Sequence, residues 1–240
     1  MGLIQKGPVP EKSNGICLDA KQIFATFTIL DFTYNYTLIN IPTSERLKAF
    51  TATNHQELEK ILIGQMRNIS SDKAYAALLQ LFNNYFGSLE AQVSQYINES
   101  NLADYLQRRK SKSLESDIIA LGGTPAKTIH ADDLPEIKNS LQAFGALYVM
   151  EGSTLGGPHI ARMIQKKLHT TALTGFSFFE SYGADMMPMW DTFKEVLDKQ
   201  ANDEVEQQII LDAADQTFLK FKCWIIKQSS LKEDLCSQPI

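Results

Sequence analysis

A chain of 240 residues with 44% hydrophobic and 10% aromatic side chains can build one domain with a sizeable core. Its net charge of −5 argues against a nucleic-acid binder working through a broadly basic surface. Three scattered cysteines without a CxxC pair argue against a zinc site, and no apolar run reaches the roughly 18 residues of a membrane span. With no clean signal-peptide pattern at the start, a cytoplasmic protein is expected.

In chain order, residues 1–41 stand apart. They contain "IFATFTILDFTYNYTLIN" (Ile23–Asn40), whose β-branched and aromatic residues favour extended structure, so this segment reads as an N-terminal extension, flexible or β-like. Residues 42–227 carry helical periodicity and form the expected domain. The first helix is "PTSERLKAFTATNHQELEKILIGQM", opened by Pro42 and a Thr43 or Ser44 cap. The second, "SDKAYAALLQLFNNYFGSLEAQVSQYI", begins at Ser71 or Asp72. The third, "LADYLQRRKSKSLESDIIALG", ends at Gly122-Gly123. Asp132, Asp133 and Pro135 are expected to open a long glycine-bearing helix that runs to about Leu168. "MPMWDTFKEVLDKQ" and a last helix from about Asp203 to Lys227 follow, and residues 228–240 read as a polar tail. The pattern predicts an all-α, single-core bundle with short connections.

Two segments carry candidate chemistry. On a wheel through the first helix, Leu47, Phe50, Leu58, Ile61 and Leu62 form the core stripe, with His55 and Lys48 at its edge. Lys48 lies two turns before His55 on the same side, and Glu59 one turn after it. A histidine at such an edge is commonly a half-buried packing residue. A neutral imidazole at the border of an apolar pocket also suits an axial metal ligand, with Glu59 able to orient it. His159 is the rival ligand, while His130 and His169 sit near helix ends.

In "ALYVMEGSTLGGPHIARMI" (Ala146–Ile164), glycines occupy a helix interior, where each costs about 1 kcal/mol against alanine. Gly145, Gly152 and Gly156 fall on one narrow, bare stripe. Either a neighbouring helix packs closely there, or a flat ligand lies on exposed backbone. The GxxxxGK[ST] pattern of a phosphate loop is missing.

"LKAFTATNHQELE" (Leu47–Glu59) resembles the proximal helix of heme oxygenases, and "LYVMEGSTLGG" (Leu147–Gly157) is similar to their distal helix in its bacterial form. "FFESYGADMMPMWDTFKEVL" and the terminal "AADQTFLKFKCWI" are similar to bacterial members too. The resemblance implies a biliverdin-producing heme oxygenase fold over 42–227. It makes His55 the ligand of heme iron and Lys48 and Lys194 the partners of the heme propionates. Gly152 and Gly156 become the backbone wall on the opposite face. Many members have an aspartate after the first distal glycine; here Ser153 stands there, able to hydrogen-bond but not ionised. The implied activity is oxidative cleavage of heme, both cofactor and substrate, to biliverdin, carbon monoxide and iron. It takes oxygen as co-substrate and electrons from a donor such as ferredoxin or a reductase, with a bilin-accepting protein as a further partner. Two other readings stay open: a heme-binding or storage protein without turnover, and another all-α enzyme of similar architecture acting on thiamine-like compounds. No catalytic cysteine is well placed for the latter.

Overall fold

The computed structural model describes residues 41–126, 129–171 and 174–228. The expected extension, apart from Ile41, and the tail beyond Gln228 lie outside the described residues. All regular structure among the described residues is helical: α1 (Thr43–Phe50), α2 (Ala52–Arg67), α3 (Asp72–Val93), α4 (Lys112–Ala120), α5 (Ser140–Leu168), α6 (Ser177–Glu180), α7 (Met186–Leu197) and α8 (Glu204–Gln228).

The long helices α5 and α8 form the central pair. Gly145 makes this possible, because a β-carbon there would stand 2.4 Å from the Ile210 carbonyl oxygen. Without one, the two backbones close on each other. Around this pair, α2 lies on α8, α3 packs against α4, α5 and α8, and α7 leans on α5. An aromatic cluster of Phe82, Phe86, Phe178, Phe179 and Phe221 fills the centre, with Tyr85 stacked on Phe221 at 4.5 Å between centroids. The Tyr85 hydroxyl is not stranded there: it donates to the Thr217 carbonyl at 2.7 Å.

Three helix boundaries differ from the periodicity. The first predicted helix bends at Thr51, which separates α1 from α2. Backbone bonds run on through it, from Thr51 N–H to the Leu47 carbonyl and from His55 N–H to the Thr51 carbonyl, both at 3.0 Å. The buried Thr51 hydroxyl also donates to the Leu47 carbonyl at 2.8 Å, a back-bond that bends helices. The third predicted helix is split into a 3₁₀ turn, Tyr105–Gln107, and the helix α4. Between them the chain leaves helical geometry to bury Arg108. The glycine-bearing helix begins at Ser140 rather than near Asp132, and residues Ala131–Asp133 form a separate 3₁₀ turn. Asn139 is its cap: the side-chain oxygen accepts from Gln142 N–H at 2.9 Å, and the Gln142 side chain accepts from Lys138 N–H at 2.7 Å. These reciprocal bonds satisfy two donors at the helix entry.

Candidate functional site

The helix α2 buries only Leu58 and Met66 of its 16 residues. His55 therefore stays open to solvent on the surface of the bundle, with half its side chain exposed. Its ring rests on Phe218 of α8, centroids 5.0 Å apart and tilted 41°. Glu59, one turn on, places Oε1 3.4 Å from Nε2 of the imidazole. The histidine is thus seated by an aromatic face below and a carboxylate at its edge, with the rest of the ring uncovered.

The bend at Thr51 sets α1 against α7 as well as α8. Asp198, at the end of α7, accepts from the Ser44 N–H at 2.7 Å and from its hydroxyl at 2.9 Å. Lys48 lies one turn beyond Ser44 and is exposed. Lys194 lies one turn before Asp198, paired with Asp191 at 3.0 Å and 5.9 Å from the Trp190 ring centroid. Each lysine thus lies one turn from the Ser44–Asp198 contact, although their positions are 146 residues apart in the sequence.

The glycines of α5 divide by what faces them. Those at 145 and 157 are packing glycines: a β-carbon on Gly157 would meet the Phe179 carbonyl oxygen at 2.1 Å. Gly156 faces open space, with nothing within 4 Å of such an atom, and Gly152 has only the Trp190 ring edge at 3.6 Å. The stripe read from the wheel therefore splits. Gly145 admits α8, while Gly152 and Gly156 leave bare backbone beside Trp190. His159, the rival histidine, is exposed farther along α5.

Ser153 is not free to turn at will. Its hydroxyl donates to the Met150 carbonyl at 2.6 Å and accepts from Arg109 Nη2 at 2.8 Å. Arg109 also donates to the Met150 carbonyl at 2.6 Å and lies 4.1 Å from the Phe178 ring centroid. Beside it, Arg108 is fully buried and pairs with Glu151 at 2.8 Å and with Asp104 at 2.7 Å. The Tyr182 hydroxyl is 2.9 Å from Glu151 and accepts from the Arg109 backbone N–H at 2.7 Å. This buried cluster behind α5 is what the helical reading of "LQRRKSK" missed. A signal was present: Glu151 in an otherwise apolar stretch requires a buried cation.

Two consequences can be measured. Glu151→Gln keeps the shape but withdraws the negative charge from Arg108 and Tyr182. It is expected to cost about 2 kcal/mol, as for a lost hydrogen bond to a charged group, read as a lower urea midpoint. The tyrosines give a pH dependence. Burial raises Tyr75, Tyr85 and Tyr182 above the ordinary 10.0, and raises Tyr105 to about 12 with help from Glu90 and Glu151. The fold therefore holds these protons after the unfolded chain has released them. Their stabilising contribution is complete below about pH 10 and is lost as pH climbs toward the folded values. The urea midpoint should fall as pH rises from about 10 to about 11.5; a constant midpoint contradicts it.

The family model described as heme oxygenase matches residues 42–227, and the chain belongs to the heme oxygenase family. It is an enzyme of that class. A curated heme oxygenase of Xanthomonas campestris pv. campestris is 28% identical over 148 residues, 61% of this chain and 86% of that one. Among solved structures, the NO- and CO-bound heme oxygenase of Neisseria meningitidis superposes with a TM-score of 0.69 at 21% identity, covering 81% of this chain and 95% of that one. The heme oxygenase of Leptospira interrogans gives 0.61 at 19% identity, covering 78% and 100%. At these identities the structures speak for the fold. Among the described residues, no helix is long and apolar enough to cross a membrane.

Proposed function

We propose that this chain cleaves heme oxidatively to biliverdin, carbon monoxide and iron, using oxygen and electrons from a donor such as a ferredoxin or a reductase. The observation that carries the reading is the pairing of an uncovered imidazole with uncovered backbone. His55 on α2 and the bare segment at Gly152 and Gly156 on α5 are both carried by the shared helix α8. The surfaces suit a flat, largely apolar ligand. Phe50 at the end of α1, Leu155 beside Gly156 and Met187 at the start of α7 all leave apolar side chains exposed, and Trp190 adds an aromatic edge. Burying such surface favours binding by about 25 cal/mol per Å².

Each residue then has a defined task. His55 holds the iron through one imidazole nitrogen. Glu59 fixes the ring by a hydrogen bond to the other, so presenting Nε2 to iron requires releasing the present Glu59 contact. Lys48 and Lys194 receive the two propionates at the α1–α7 junction. Their exposed ion pairs contribute little affinity each, and serve to fix which ring edge enters. Bound heme supplies the redox-active iron and is itself the ring that is opened. Gly152 and Gly156 would let the macrocycle lie against bare backbone with no β-carbon in its way. The Ser153 proton is committed to the Met150 carbonyl, so toward the ligand this hydroxyl offers an acceptor lone pair, for water or a protonated group. Arg109 keeps it so oriented.

The test is purification with hemin, followed by absorption spectra before and after adding reductant in air. Loss of the Soret band with growth of a bilin band is expected. A stable Soret band under reductant and oxygen would instead identify a heme-storage protein.

A further inference from the structure

A buried lysine remains outside the reaction described above. Lys222 of α8 is among the residue types least often found inside unless paired, yet only 6% of its side chain is exposed. Its ammonium donates to Glu57 Oε2 at 2.7 Å and to Asn54 Oδ1 at 3.0 Å. The Asn54 amide nitrogen in turn lies 2.9 Å from each carboxylate oxygen of Asp215. The result is a continuous chain, Asp215–Asn54–Lys222–Glu57, alternating between α8 and α2. Asp215 and Lys222 are seven residues apart on one face of α8, and Phe218, the residue under the His55 ring, lies between them. Asn54 and Glu57 flank His55 on α2.

The apolar attachment of α2 cannot fix this register alone. From Ala52 to Glu57 no residue of α2 is buried, and its first buried apolar side chain is Leu58, one turn after His55, so apart from the contact of the ring with Phe218 the turn that carries His55 has no apolar anchor of its own. The polar chain supplies that anchor, and charge-assisted bonds are directional where apolar contact is not. We infer that Lys222, with Asn54 and Asp215, is the positioning device for the proximal imidazole: it sets where α2 sits on α8, and hence the height and tilt of His55. The inference rests on His55 being the iron ligand, and its experiment separates the two.

Lys222→Met keeps the length of the side chain and removes its donors; Glu57 is partly exposed and is not stranded by the change. Asp215→Asn, a milder variant of the same shape, weakens the Asn54 link from the other end. Hydrogen exchange is measured on the heme-free protein. In Lys222→Met the amides of residues 54–60 are expected to exchange about tenfold faster or more, as for a lost charge-assisted bond, while the central amides of α5 keep their rates. The ferric hemin complex of the same variant, read by electron paramagnetic resonance, is expected to show a spread of axial-ligand geometries. Asp215→Asn should fall between it and the parent. Equal acceleration in α2 and α5 would overturn the inference, because Lys222 would then act on the whole fold. A locally loosened α2 with a parental ferric spectrum would overturn it too. Failure of the ligand assignment is read separately, from a parental ferric spectrum in His55→Ala.

Discussion

His55→Ala is expected to leave a folded protein that no longer ligates heme iron normally. Little structure depends on this side chain. It is half exposed, its contact with Glu59 is an exposed pair worth under about 1 kcal/mol, and alanine is the better helix former. The lost contact with the Phe218 ring adds about 0.5–1.5 kcal/mol. The unloaded variant should therefore keep its circular dichroism and most of its urea resistance. Heme chemistry should change far more, because removing a group that merely orients a ligand already costs about 10–100-fold. The ferric Soret position, the electron paramagnetic resonance spectrum and the rate of bilin formation should all depart from the parent. Imidazole added in solution should restore part of the parental spectrum by filling the space the side chain vacates. An unchanged heme spectrum in a folded His55→Ala protein would remove the iron ligand from α2 and the proposed reaction with it.

Those features were legible in the sequence to different degrees. Local rules govern the helices, so the starts of α3, α7 and α8 follow from periodicity and caps, while α3 and α7 end at Val93 and Leu197, three or four residues before the periodic pattern does; Ser71 accepts from Ala74 N–H as an ordinary cap should. The break at Thr51 was hidden because the bonds from Thr51 N–H to Leu47 and from His55 N–H to Thr51 carry the helical pattern across it. The break before α4 was hidden because it is decided by partners far away in sequence, Glu151 and Tyr182, to which Arg108 and Arg109 are drawn. The start of α5 was misplaced because Pro135 and the acidic pair imitate an opening signal, while the reciprocal Asn139–Gln142 cap sits one turn later. Spacing placed His55 and Lys48 on one side of a helix, but could not show that the helix carrying Lys194 meets the one carrying Lys48 through Asp198 and Ser44. Nor could a wheel tell a glycine that admits a helix from one that leaves its backbone uncovered. Gly145 and Gly152 share a stripe, and only the packing distinguishes them.

That distinction gives a sharp expectation for two adjacent residues. At Gly157, any side chain collides with the Phe179 carbonyl, so Gly157→Ala must push α6 off α5. Overpacking against backbone costs about 1–3 kcal/mol or more, and the urea midpoint should drop accordingly. At Gly156, which is exposed, nothing lies within 4 Å of a new β-carbon in the heme-free protein. Gly156→Leu should even stabilise it slightly, since leucine is better than glycine inside a helix by about 0.8 kcal/mol. The same leucine would stand where the macrocycle is proposed to lie. A displacement of about 1 Å in a reacting pair can cost 10²-fold, so bilin formation should slow by at least about that factor while the unloaded fold gains stability. Opposite effects on stability from neighbouring positions would separate the structural glycine from the ligand-facing one. Parental turnover in Gly156→Leu would mean that heme does not rest on this part of α5. The open backbone there would then need another occupant, whatever the behaviour of His55.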